Sequence, residues 1–195
     1  MTLLDHLWAG WRASYVESFG PAGGAGEGTP APASTEAPPL ASRLAASRTA
    51  VGNSACVFCA ILAAGELSER ERMIVWRGAS VVAILNAYPY SSGHLMVMPV
   101  RHLQDLEELS ADESAELWES TRRAAGAVKG AYHPEGLNLG LNLGRAAGAG
   151  IPGHLHVHVV PRWVGDTNFM TTAASARVLP ESLADTWDKL RAAWR

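Results

Sequence analysis

The sequence predicts an α+β domain: an antiparallel sheet of about five strands, one long helix packed on it, and a second helix at the C-terminus. Three observations carry this. Short β-branched runs punctuated by Gly and Pro recur between residues 73 and 99. A helical stripe opens behind a capping signal at Ser110, and two strictly alternating segments follow, at 136–144 and from His154.

Taken in order, residues 1–19 set Leu4, Leu7, Trp8, Trp11 and Tyr15 at helical spacing, an amphipathic helix expected to dock on the protein's own body or across a subunit boundary, with membrane contact the lesser option. Residues 20–50 are rich in Pro, Gly, Ala, Ser and Thr, and read as a flexible linker. Residues 51–195 form the domain proper. MIVW and SVVAILN read as a hairpin with Gly78 at its turn; HLMVMP is a third strand, stopped by Pro99. In Ser110-Ala-Asp-Glu, Ser110 and Glu113 form a capping box. Leu117, Thr121, Ala124, Ala125 and Val128 line the helix that follows, which is expected to end near Gly130. In Gly136-Leu-Asn-Leu-Gly-Leu-Asn-Leu-Gly144, alternation turns Leu137, Leu139, Leu141 and Leu143 to a core, and Asn138, Gly140, Asn142 and Gly144 to the other face. Glycines there suit close approach of a ligand to the backbone. The C-terminal run after Pro180 turns Leu183, Trp187 and Leu190 inward.

A formal charge of -3 gives no cationic stripe, which argues against nucleic acid as a partner and leaves phosphate recognition to a local site. The N-terminus places Asp5 and His6 within its apolar stretch, and no run is long enough to span a membrane. The expectation is a cytoplasmic protein whose two cysteines, Cys56 and Cys59, stay reduced.

The chemistry concentrates in His154-Leu-His156-Val-His158. Period two puts the three imidazoles on one face, spaced by roughly 7 Å, and Leu155, Val157 and Val159 on the other. Two uses compete: a metal site, or nucleophilic and acid/base work by neutral imidazole near pH 7. The glycine-rich loop before it, 145–153, offers backbone amides to an anion.

GHLHVHVVPRW resembles the His-φ-His-φ-His-φ-φ motif of the histidine-triad superfamily of nucleotide hydrolases and transferases. VVAILNAYPYSSGHLMVMPVRH resembles that family's ribose-binding strand and its Gly-His-strand-Pro-x-x-His element, and CVFC its zinc-binding variant. The resemblance covers about residues 54–170. Within the family, NAYPYSSGHLMV and HLHVHVVPRWVGDTNF are most similar to a group of actinobacterial diadenosine tetraphosphate phosphorylases.

The resemblance implies a histidine-triad fold, a homodimer, and cleavage of a nucleotide phosphoanhydride with His156 as nucleophile on the α-phosphorus. His158 and Asn142 would support the reacting cluster, and Asn86 would hold the ribose. Phosphorolysis of diadenosine tetraphosphate, with inorganic phosphate as second substrate, is the preferred reaction. Hydrolysis of dinucleoside polyphosphates, nucleoside phosphoramidate cleavage and a zinc-stabilised nucleotide-binding module without turnover are the rivals. The implied metal set is Cys56, Cys59, His102 and His154, a closed tetrahedral site for structural zinc. One departure stands out. The loop Gly148-Ala-Gly150-Ile-Pro-Gly153 lacks the hydroxyl or glutamine that many relatives place before the triad. Its backbone, at Gly148 and Gly150, and the charge of Arg145 are the expected substitutes. His94 and His133 are read as a packed strand residue and an exposed turn.

Overall fold

The strands read from alternation pair into one antiparallel sheet. The computed structural model describes residues 56–167 and 181–195, so the expected N-terminal helix and linker lie outside it. Strands β1 (Ile74–Arg77), β2 (Val81–Leu85), β3 (Leu95–Pro99), β4 (Gly136–Leu141) and β5 (Val157–Arg162) assemble in the order β1-β2-β3-β5-β4. Helices α1 (Val57–Ala63), α2 (Ala111–Tyr132) and α3 (Leu183–Ala193) complete the described elements longer than a single turn.

Period-two alternation sorts the core into two layers. Val75, Val81, Ala83, Leu85, Leu95, Val97, Val157 and Val159 turn toward α2 and α3, meeting Leu117, Ala124, Val128 and Leu190. Ile74, Val82, Ile84, Met96 and Met98 turn the other way, onto Phe58 and Ile61 of α1. Covered on both faces, β2 and β3 are buried at every position, which is why they read as continuous apolar runs.

Ser110 caps α2 as expected: its side chain accepts from Glu113 N, and Glu113 reaches back to Ser110 N at 2.9 Å. The helix runs two residues past Gly130 and closes at His133, exposed and left-handed (φ 48) just before Pro134. Its buried stripe takes Ala127 fully and Ala125 only partly.

The expectation for β4 needs correction. Leu137 and Leu141 pack on the α2 side, but Leu139 is 50% and Leu143 40% exposed. β4 pairs only with β5, so its outer edge and part of its apolar face have no cover among the described residues.

Candidate functional site

The three triad histidines share the α1 side of the sheet, while Leu155, Val157 and Val159 join the α2 core. Phe58 of α1 meets His154 and His156 edge-on, with centroids at 5.5 and 5.3 Å. Regular pairing of β5 starts only at Val157. Ahead of it, Leu155 N–H donates to Leu103 O at 2.8 Å, which holds the histidine segment beside the loop that carries His102.

Hydrogen bonds fix the tautomers of this cluster. His156 is buried, and its Nδ1 lies 2.7 Å from the His154 carbonyl oxygen; an acceptor there requires a proton on Nδ1. Nε2 of His156 therefore keeps its lone pair. Burial pushes the His156 pKa down from its ordinary value, so this nitrogen is unprotonated near pH 7.

A second chain begins at Tyr90, whose backbone N–H donates to His94 Nδ1 at 3.1 Å. Neutral His94 then carries its proton on Nε2, 3.0 Å from His158 Nδ1, and donates it there. His158 is left with its own proton on Nε2, beside His156 at a ring separation of 4.9 Å. The tyrosine ring of Tyr90 packs against both His94 and His158. His94 is thus 1% exposed and wired to the triad, a role the sequence reading did not give it. Its signal was present in the alternation: His94, Met96 and Met98 share a face, and Met96 pairs with His158.

His156 and His158 border a cleft of about 800 Å³, counted to its open mouth. Phe58, Ile61, Ile84, Met96 and Ile151 make its apolar walls, and Asn86 stands at the end of β2 on its rim. Asn86 Oδ1 accepts from Tyr88 N at 2.9 Å, which orients the amide nitrogen as a donor. Of Arg145, Gly148 and Gly150, the loop residues expected to meet phosphate, Gly150 reaches the cleft. Gly148 serves the turn, left-handed at φ 84, and Arg145 is exposed; neither lines the cleft. Asn142 borders an adjoining recess together with His158 rather than the cleft itself.

The four implied metal ligands converge, with one ligand atom from each of Cys56, Cys59, His102 and His154 within 4.8 Å of the others. One helical turn brings the two sulfurs to the same side of α1. Cys56 Sγ lies 3.5 Å from His154 Nδ1, and Cys59 Sγ lies 3.3 Å from His102 Nδ1 and 3.7 Å from His154 Nδ1. Zinc–sulfur and zinc–nitrogen bonds at a tetrahedral angle set a sulfur–nitrogen edge of about 3.5 Å, so the spacing fits that ion. His154 Nε2 donates to Pro99 O at 2.9 Å, aiming the Nδ1 lone pair at the sulfurs, as an outer-shell partner should. Burial and the neighbouring Cys56 sulfur push the Cys59 thiol up to about 11, and a cation between them would reverse that.

The sequence matches the model of the HIT domain over residues 68–164. It is 49% identical over 129 residues to a protein of Mycobacterium tuberculosis named AP-4-A phosphorylase, a stretch covering 66% of this chain and 66% of that one. The chain therefore matches just under two thirds of that relative's length. A crystal structure of a zinc-bound histidine triad family protein from Mycobacterium smegmatis is 31% identical, with a TM-score of 0.58 over 73% of this chain and 94% of that one. Another, of a hypothetical histidine triad nucleotide-binding protein from Sulfolobus tokodaii, is 32% identical, with a TM-score of 0.57 over 71% of this chain and 91% of that one.

Proposed function

The chain belongs to the histidine-triad (HIT) domain family, and from that premise we propose that it cleaves diadenosine tetraphosphate by phosphorolysis through a nucleotidyl-histidine at His156. The observation that carries the proposal is the 2.7 Å bond from His156 Nδ1 to the His154 carbonyl, which reserves Nε2 as a neutral nucleophile beside a largely apolar cleft. The 49% identity to a protein named AP-4-A phosphorylase supports the choice of substrate.

One adenine lies between the apolar walls of the cleft, and the Asn86 amide meets its ribose hydroxyls. His156 Nε2 attacks the α-phosphorus, and the bond to the bridging oxygen breaks with its electron pair on departing ATP. Nε2–H of His158 and the Gly150 backbone face the charge on the phosphoryl oxygens, the donor arrangement on which such transfers mainly depend. Inorganic phosphate then attacks the same phosphorus. The P–N bond breaks, its pair returns to His156 Nε2, and ADP leaves. Asn142 acts from the His158 side, and Arg145 supplies charge to the polyphosphate from the loop.

Cys56, Cys59, His102 and His154 would hold zinc, which would contribute no chemistry in this scheme. Its role would be to pin α1 and the Pro99–His102 turn to the residue whose carbonyl orients His156. Exposed Leu139 and Leu143 on the open β4 edge fit a homodimer. The proposed site of action is the cytoplasm; separately, among the described residues no helix is long and apolar enough to cross a membrane.

The test incubates the protein with diadenosine tetraphosphate, with and without inorganic phosphate, and separates the products. ADP and ATP formed only with phosphate is the expected result; ATP and AMP without it would reassign the chain to hydrolysis. A His156→Ala protein that turns over at the wild-type rate would end the nucleotidyl-histidine reading.

A further inference from the structure

In the reading proposed above one nucleoside occupies the cleft beside His156, yet the substrate carries two. On the far side of His158 lies a second recess, floored by one face of β4 and rimmed by Asn138, Asn142, Arg162 and Thr167. Tyr90 and His158 are the two side chains common to both hollows. They form a shared wall with His156 on one side and the recess on the other.

The recess is built before any ligand arrives. Arg162 binds Asp166 through two bonds, Nε to Oδ2 at 2.6 Å and Nη2 to Oδ1 at 2.8 Å, and its Nη1 donates to Asn138 Oδ1 at 2.8 Å. Thr167 Oγ1 donates to Asp166 Oδ1 at 3.1 Å. With its oxygen taken, Asn138 has its amide nitrogen left as a donor. Charge is balanced, since the one guanidinium on the rim is already satisfied by a carboxylate held well below the ordinary range by that same arginine. Such a surface has little attraction for a polyphosphate, whereas its amide and hydroxyl groups suit an uncharged polar group such as a ribose or an adenine edge. The floor is kept open by Gly140, the residue paired across the sheet with His158; a Cβ placed there meets no atom within 4 Å.

We propose that this recess receives the second nucleoside of the dinucleotide, the half that departs as ATP, with the phosphate chain crossing over His158 between the two hollows. The inference rests on the nucleotidyl-transfer reading and adds to it a leaving-group site made by Asn138, Gly140 and the Arg162–Asp166 pair. Its consequence is selectivity. A substrate with only one nucleoside uses the first cleft and His156 but not the recess.

Gly140→Val fills the floor with a side chain that has free space to enter, and Asn138→Ala removes the amide donor. Each is assayed on diadenosine tetraphosphate and on the p-nitrophenyl ester of AMP, whose leaving group carries no nucleoside. The expected result is a tenfold or greater fall in kcat/KM for the dinucleotide, with the ester changed less than about threefold. Equal activity of variants and wild type on the dinucleotide overturns the site. So does an equal loss on both substrates, which would mean that the substitutions disturb the triad. A wild-type protein inert toward both refutes the nucleotidyl-transfer reading itself, and the recess assignment falls with it.

Discussion

Removing the His94 imidazole while keeping the fold isolates the tautomer chain described above. His94 is buried, and its Nε2 is the donor 3.0 Å from His158 Nδ1. In His94→Ala that acceptor faces a space without its donor, and a buried unsatisfied group costs about 1–3 kcal/mol. His158 is then free to take the other tautomer, with its lone pair rather than its N–H toward the reacting phosphoryl group. If the cost falls on the transition state, kcat drops about 5- to 150-fold at 1.36 kcal/mol per decade. His94→Gln places an amide donor near the Nε2 position and should recover part of that loss. The assay is steady-state formation of ADP from diadenosine tetraphosphate and phosphate, across pH, with a thermal melt to confirm folding. Folded Ala and Gln proteins that work within twofold of wild type, or that are equally impaired, would refute the relay.

Other outcomes follow from the same geometry. Purified protein should carry one zinc per chain by elemental analysis, and Cys56→Ser or prolonged chelation should lower the melting temperature by about 10 °C or more, equivalent to roughly 3 kcal/mol for a chain of this size. Gly93→Ala should destabilise by about 2 kcal/mol or more in urea unfolding, because Gly93 sits at φ 84 and an added Cβ would lie 2.8 Å from the Tyr132 ring. Glu113, bound by Arg101, has a pKa lowered to about 2; the unfolded chain takes up that proton near 4.5. The stability it contributes is therefore present above about 4.5 and lost as pH falls toward 2, so Glu113→Gln should flatten the low-salt melting profile across that window. Leu139→Asp should shift the protein to a smaller species in sedimentation if the open β4 edge is an interface.

Much of this arrangement was legible in the sequence because it is local. Ser110 and Glu113 announce the start of α2 three residues apart, and alternation at His154–Val159 assigns each side chain to its face. Burial on β4 was not legible in the same way. Alternation gives the face of Leu139, but the sheet order, which leaves β4 at an edge, is set by pairings far apart in the chain. The metal ligands lie 43 and 98 residues apart between partners, so spacing alone offers only Cys56-x-x-Cys59, and resemblance supplied His102 and His154. His94 was underestimated for a related reason. Its partner is reached across the β3–β5 register: alternation gives the face that His94 shares with Met96 and Met98, but not that β3 lies beside the triad segment.

On the segment that leads into β5, and on into the strand, the residues alternate between load and chemistry. Leu155 is wedged among the side chains beneath α2, while His156, the next residue, faces the reacting centre. The peptide groups on either side of His156, to Leu155 and to Val157, thus tie the nucleophile directly to the packed layer. Repacking beneath α2 by even a methylene would press on those links and tilt the imidazole without touching it. Variants selected for heat resistance on the helical side should therefore show altered turnover, and the enzymologist looking for distant tuning positions has a short route to follow: through the backbone, from one side of the strand to the other.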